Sequence, residues 1–131
     1  MTITKDDFTL EVTEPVDLMV FTDWTEEYNT WKTQNGVYFI FRRSTGQLEL
    51  EYVGLAANGQ HGLAWRVAQH ADTNSLIRRY VEAGHYAVCF HALTNKFAIK
   101  NLEMPAIMAL NPPGNETLFA RNQRRKRNGK H

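Results

Sequence analysis

The sequence predicts an α/β fold, an α+β sandwich in which a small three-stranded, mostly antiparallel sheet is flanked by helices. Three observations carry that expectation. A β-branched and aromatic run, GVYFIFRR, turns through Ser44-Thr45-Gly46-Gln47 and returns as LELEYVG, the pattern of a β-hairpin. Behind it, apolar residues switch from a period of two to a period near 3.6, then back to a strand-like HYAVCFHA and on to a last helical segment. With 131 residues the chain is large enough to bury a real core and too small for two ordinary domains.

Along the chain, residues 1–20 alternate apolar and polar (FTLEVTE, then VDLMVF), which fits one or two short strands with Pro15 at a break. Asp23 or Thr25 can cap a short helix over Glu26–Lys32 carrying Tyr28 and Trp31. The hairpin follows from Gly36. LAANGQHG, residues 55–62, is small and flexible and reads as a loop crossing from strand to helix. From Leu63 a helix places Leu63, Val67 and Ala71 on one stripe, with Arg66 and His70 beside it at i, i+4 spacing. A second helix over residues 74–83 has Thr73 or Asn74 as its cap and Gly84 as its stop. HYAVCFHA supplies the third strand of the sheet. Thr94 or Asn95 caps a final helix towards Leu110, ended by Asn111-Pro112-Pro113-Gly114-Asn115. Three regions result: an N-terminal arm over 1–35, packed on the core or at an oligomer interface, a main domain over 36–118, and a basic tail over 119–131.

Charge divides the chain unevenly. Of fifteen Lys and Arg residues, Arg121, Arg124, Arg125, Lys126, Arg127 and Lys130 lie in the last eleven positions, where no acidic residue occurs. All fourteen Asp and Glu residues therefore fall in residues 1–120, which are acidic by about five charges. A basic tail on an acidic body points to a polyanion partner, with a merely solvated tail as the plain alternative. Cys89 is the only cysteine, which excludes an internal disulfide and a Cys-based zinc cluster; within YAVCF it reads as a buried, inert thiol. No apolar run is long enough to span a bilayer, and MTITKDDFTL lacks the regions of a signal peptide, so a cytoplasmic protein without a membrane partner is expected.

Phosphodiester hydrolysis needs a positioned water, a base for its proton and positive charge for the phosphoryl oxygens. Glu103 is the natural metal anchor: it is the only acidic residue between Glu82 and Glu116, embedded in the uncharged stretch around MPAIMAL. An exposed helix glutamate is the plain alternative, weakened by the scarcity of polar company on that helix. A single carboxylate with several waters suits Mg²⁺ better than zinc. Arg66 can meet a phosphate while His70 lies one turn away; an ordinary surface arginine and a structural histidine are the alternatives. Tyr38 and Tyr52 would ordinarily be half-buried sheet aromatics, and a phenol is a poor base at neutral pH without a nearby cation. Arg42 and Arg43, on the first hairpin strand, and the tail residues Arg121, Arg124, Arg125, Lys126 and Arg127 are the expected DNA contacts.

Gly36-Val37-Tyr38 and Tyr52-Val53-Gly54, followed by Leu63-Ala64-Trp65-Arg66, His70, and Glu103 with Ile107, Pro112 and Asn115 behind it, resemble the GIY-YIG nuclease family. The resemblance spans Gly36 to Asn115, and the Arg66/His70 pair is similar to the branch holding GIY-YIG restriction enzymes. The turn at Asn111–Asn115 is similar to small phage endonucleases of the endonuclease II type. The resemblance implies a DNA endonuclease with one Mg²⁺ on Glu103, Mn²⁺ substituting, that leaves 5′-phosphate and 3′-hydroxyl ends on double-stranded DNA. Tyr38, with His70, would orient or deprotonate the attacking water, Tyr52 would position the phosphate or the water, and Arg66 would stabilise phosphoryl charge. Asn115 completes the set, more as a tether than as a chemical group. A homo-oligomer would bring a second site to the other strand. A catalytically idle domain of this type, used for DNA binding or assembly, is the alternative function.

Two departures from the family pattern bear on the fold. Residues 55–62 form a longer loop than in the excision-repair nucleases. Pro105, two residues past Glu103, implies a helix that bends just after Glu103 or begins near it.

Overall fold

The polypeptide builds a four-stranded antiparallel sheet with helices on both faces and a separate two-stranded hairpin against one of them. This computed structural model describes residues 1–19, 26–57 and 61–115, without the side chains of Glu27, His70 and Ser75. Its elements are β1 (Thr2–Lys5), β2 (Phe8–Glu11), β3 (Val16–Asp17), α1 (Glu26–Trp31), β4 (Gly36–Ser44), β5 (Gln47–Ala56), α2 (Leu63–Thr73), α3 (Ser75–Ala83), β6 (Tyr86–Ala92) and α4 (Lys96–Leu110). Among the described residues no helix is long and apolar enough to cross a membrane.

The sheet order is β3-β6-β4-β5. The expected hairpin is its centre and one edge, and β6 inserts on the other side of β4. A fourth strand corrects the three expected: Val16 and Asp17 pair with Val88 and Ala87 at the far edge. The N-terminal region carries three short strands rather than one or two, and Ile3, Val12, Leu18 and Tyr28 are all buried in the core.

Helix boundaries follow local chemistry. The Asn74 side chain accepts from the backbone N–H groups of Leu76 and Ile77, and Gly84 ends α3 in the left-handed region at φ 78°. Asn95 caps α4 in the same way, accepting from Phe97 and Ala98, and Asn111 ends it at φ 48°. Pro105 does not delimit α4, which starts well upstream at Lys96 and runs through the proline to Leu110. The carbonyl deprived of its donor belongs to Asn101. Asn101, Met104 and Pro105 all lie on the exposed face, where water can replace the lost bond.

Two apolar clusters fill the space on either side of the sheet. One joins Tyr38, Ile40, Tyr52, Val88 and Phe90 to Leu63, Val67 and Ala71 of α2 and to Ile77 and Tyr80 of α3. The stripe expected on α2 is thus the buried one. The other joins Val37, Phe39, Phe41, Val53 and Cys89 to Ile99 and Ala106 of α4 and to Ile3. Cys89 is fully buried there, and burial pushes its thiol up to about 12, in line with an inert side chain.

A single break in the β5 ladder sets which face Tyr52 occupies. Ile40 pairs with Tyr52 but Phe41 pairs with Leu50, which leaves Glu51 as an extra residue, a β-bulge. Leu48 and Leu50 pack on the α4 side, and strict alternation would send Tyr52 there too. The bulge reverses the phase, so Tyr52 faces α2 beside Tyr38 while Val53 and Leu55 return to the α4 side.

Candidate active site

At the β5 edge of the sheet, four of the residues singled out by sequence come together. Tyr38 and Tyr52 lie on adjacent strands with ring centroids 6.1 Å apart and planes at 28°, and their hydroxyls share a hydrogen bond. Tyr38 leans over Gly54, its cross-strand partner. A methyl group at Gly54 would lie 2.2 Å from Tyr38 Cζ and 2.3 Å from its hydroxyl, so only glycine leaves room for the phenol to reach that edge. The first glycine of the pair of triplets has a different role. Gly36 sits at φ 148°, and a Cβ there would meet the His91 carbonyl oxygen at 2.0 Å, so it lets β4 approach β6 closely.

Glu103 arrives from the opposite layer. It falls on the inward stripe of α4 formed by Ile99, Leu102, Ala106, Ile107 and Leu110, and α4 packs along β5. Its charge acts on both Tyr38 and Tyr52, as does that of Arg66 with opposite sign. Burial raises the Glu103 carboxyl above the ordinary carboxylate value. Among the described residues it makes no hydrogen bond and no ion pair. A carboxylate that is largely withdrawn from water and lacks a protein partner has open oxygens for a cation. No cluster of three or more His, Cys, Asp or Glu side chains that could hold a metal ion occurs among the described residues; a lone carboxylate is the donor type of a hydrated hard cation and not of zinc.

The two phenols differ electrostatically. Tyr38 is wholly buried, and desolvation holds its pKa well above the usual 10, with the neighbouring Tyr52 and Glu103 adding to the rise and Arg66 opposing it. Tyr52 is also raised, chiefly by burial and then by Glu103. The hydrogen bond between them raises Tyr38 and lowers Tyr52. Both therefore keep their protons at neutral pH, and added positive charge near Glu103 is what would ionise either one. Of the two, Tyr52 is the easier to ionise.

Arg66 projects from α2, where its Nη1 donates to Gln69 Oε1 at 2.9 Å. Gln69 was not among the sequence candidates; its signal is the i, i+3 spacing on the same helix, which fixes the guanidinium without neutralising it. His70 lies in α2, but its side chain falls outside the described residues.

Asn115 is buried, and its amide pairs at both ends with one residue of β5: Oδ1 accepts from the Val53 N–H at 2.7 Å and Nδ2 donates to the Val53 carbonyl at 2.8 Å. Val53 faces Phe39 on its inner side, so Asn115 closes the outer edge of β5 as a neighbouring strand would. The turn that brings it there packs tightly, since a Cβ on Gly114 would meet the Glu51 carbonyl oxygen at 2.7 Å. Through these two bonds Asn115 ties the turn after α4 to β5 and holds Tyr52 and Gly54 in register.

Arg42 and Arg43 are not part of this cluster. They stand four and five residues along β4 from Tyr38, roughly 13–17 Å away at the rise of an extended strand. Arg42 is ion-paired with Glu49 across the hairpin and with Glu51 at 3.7 Å, which offsets its charge; Arg43 is exposed. Arg121, Arg124, Arg125, Lys126 and Arg127 lie outside the described residues.

Beside Arg66, a groove of about 330 Å³ runs from the end of β5 to the start of α4, lined by Leu55, Ala57, His61, Trp65, Arg66 and Lys96. The His61 and Trp65 rings stack at 3.9 Å with planes at 26°. Neither residue is among the candidates read from the sequence; His61 stands two residues before α2 and Trp65 in its first turn. No protein-family model matches the chain, and no curated protein or solved structure matches it.

Proposed function

We propose that the protein is a metal-assisted DNA endonuclease of the GIY-YIG type. The observation that carries the reading is the coupling of two hydrogen-bonded tyrosines, a part-buried carboxylate without a protein partner and an uncompensated arginine at one sheet edge. Glu103 would hold the Mg²⁺, which supplies Lewis-acid charge for the phosphoryl and leaving oxygens when bound. Arg66, steadied by Gln69, binds a phosphoryl oxygen through the donors of its guanidinium and stabilises charge that develops there. The Tyr38 and Tyr52 hydroxyls would orient the attacking water, and Tyr52, the easier of the two to ionise, would take its proton when in the phenolate form. The basic run over 121–131 supplies sequence-independent attraction to the DNA backbone. A site with one metal cuts one strand at a time, so concerted double-strand cleavage would draw on a second copy of the chain.

Incubation with supercoiled plasmid in Mg²⁺, Mn²⁺ or EDTA tests the reading. Nicked circles are expected with either ion and none in EDTA. Plasmid that binds the protein but stays supercoiled under every condition would overturn the enzymatic reading in favour of an idle DNA-binding domain.

A further inference from the structure

Apart from Arg66 itself, the groove beside Arg66 is lined by residues that the reaction chemistry does not use. The apolar residues Leu55, Ala56 and Ala57 at the end of β5 line it together with the cations Arg66 and Lys96, and among the described residues no Asp or Glu does. Its wall is a ready-made aromatic plane, the His61–Trp65 stack. Trp65 belongs to neither apolar cluster of the core, although it is partly buried and sits in a helix whose inner stripe is otherwise committed to packing. An aromatic surface outside the core, flanked by two cations, complements a flat ring that carries an anion. Because the two rings already hold one another in place, a third ring added to them costs little further ordering.

We infer that this groove is a nucleotide subsite beside the reaction centre, taking a phosphate between Arg66 and Lys96 and a base against the His61–Trp65 pair. A base can lie there only when it is not stacked within a duplex. The subsite therefore favours DNA with an unpaired or extruded nucleotide, such as a nick, a gap or a strand end, over uninterrupted duplex. This inference deepens the nuclease reading and rests on it for its consequence, a preference among DNA substrates.

The test is binding measured in EDTA, where no cleavage occurs, using the full chain, a thymidine hexanucleotide and the same hexanucleotide with abasic sugars. The thymidine oligonucleotide should quench tryptophan fluorescence and bind more tightly than the abasic one. Trp65→Ala should weaken the thymidine oligonucleotide by about tenfold, the scale of one lost aromatic–base stack, and abolish the preference. Trp65→Phe, which keeps an aromatic plane, should retain part of it, and its thermal melt separates lost stacking from lost folding. Lys96→Ala should weaken both oligonucleotides alike. Equal binding of the two oligonucleotides by the unmodified protein, or unchanged binding by folded Trp65→Ala, would overturn the subsite. A protein that passes this test yet never nicks plasmid retains the subsite and loses the nuclease reading. One that nicks plasmid and fails this test retains the nuclease and loses the subsite.

Discussion

The two faces of the sheet are built from different kinds of side chain. Towards α2 and α3 the core contains Tyr28, Tyr38, Tyr52 and Tyr80. Towards α4 and the β1–β2 hairpin the fully buried residues are Val, Ile, Phe, Ala and Cys, with no tyrosine among them. A buried hydroxyl has to find a partner, because leaving it without one costs about 1–3 kcal/mol. The tyrosine face is consequently organised around polar contacts, such as the Tyr38–Tyr52 hydrogen bond, while the aliphatic face is organised by volume alone. Glu103 is the exception that joins them: it descends from the aliphatic side and acts on the hydroxyls of the other at the edge where β5 ends the sheet. On the proposed function, substitutions at the site and in the aliphatic core should separate chemistry from stability.

Glu103→Ala is the largest expected break. Single-turnover cleavage should fall by at least about a thousandfold, since several kcal/mol of transition-state charge stabilisation go with the ion. DNA binding in a filter or gel assay should be nearly unchanged. Cleavage at the unmodified rate would remove Glu103 from the chemistry.

On the aliphatic face, Ile99→Ala should do the reverse. Ile99 is almost completely buried, and truncation should cost about 2–5 kcal/mol in a denaturant titration. The folded fraction should still cleave at the normal rate. A loss of turnover out of proportion to unfolding would mean that the two faces are not independent.

Gly54→Ala tests the point where the faces meet. The added methyl cannot fit beside the Tyr38 ring, so the phenol must move or the strands must part, at about 1–3 kcal/mol for an overpacked site. Both stability and cleavage should fall together. Tyr38→Phe in the Gly54→Ala background does not relieve the ring contact, whereas Tyr38→Ala should recover part of the stability without the activity.

The smallest effect concerns pH. Burial places the Glu103 pKa above its ordinary 4.5. Between the two values the folded protein holds a proton that the unfolded chain has released, so stability declines as pH rises through that window. Glu103→Gln removes this decline and should melt at or above the temperature of the unmodified protein at neutral pH, while failing to cleave. A melt below the unmodified protein at neutral pH would show that the ionised carboxylate has a stabilising partner.

Much of this arrangement could be read in advance. The hairpin, the inner stripe of α2, the Asn74 and Asn95 caps and the Gly84 stop all rest on local patterns, and all occur where the patterns put them. Glu103 stood out in the sequence as the lone acidic residue of an uncharged stretch, and its place on the inward stripe of α4 came from the structure. The break at Tyr52 left a trace too, in the shift of apolar residues from Leu48 and Leu50 to Val53 and Leu55. The two-residue β3 escaped because a strand that short has no period. Of the two outcomes expected from Pro105, a helix beginning near Glu103 is excluded, because the carbonyl that loses its donor lies on the exposed face where water can take its place.

Residue identity alone therefore determined which segments coil and which extend, since caps, turns and apolar periods act over a few neighbours. It also fixed the choice of glycine at 36 and 54, although not the reason for either. Tertiary structure decided the rest. The bulge at Glu51 turned Tyr52 to the same side as Tyr38, the packing of α4 along β5 brought Glu103 across from the other layer, and the turn after α4 carried Asn115 to the backbone of Val53. Each of these joins residues distant in sequence, and their relative placement depends on register and on how two faces fill their volume, quantities that no local window of sequence contains.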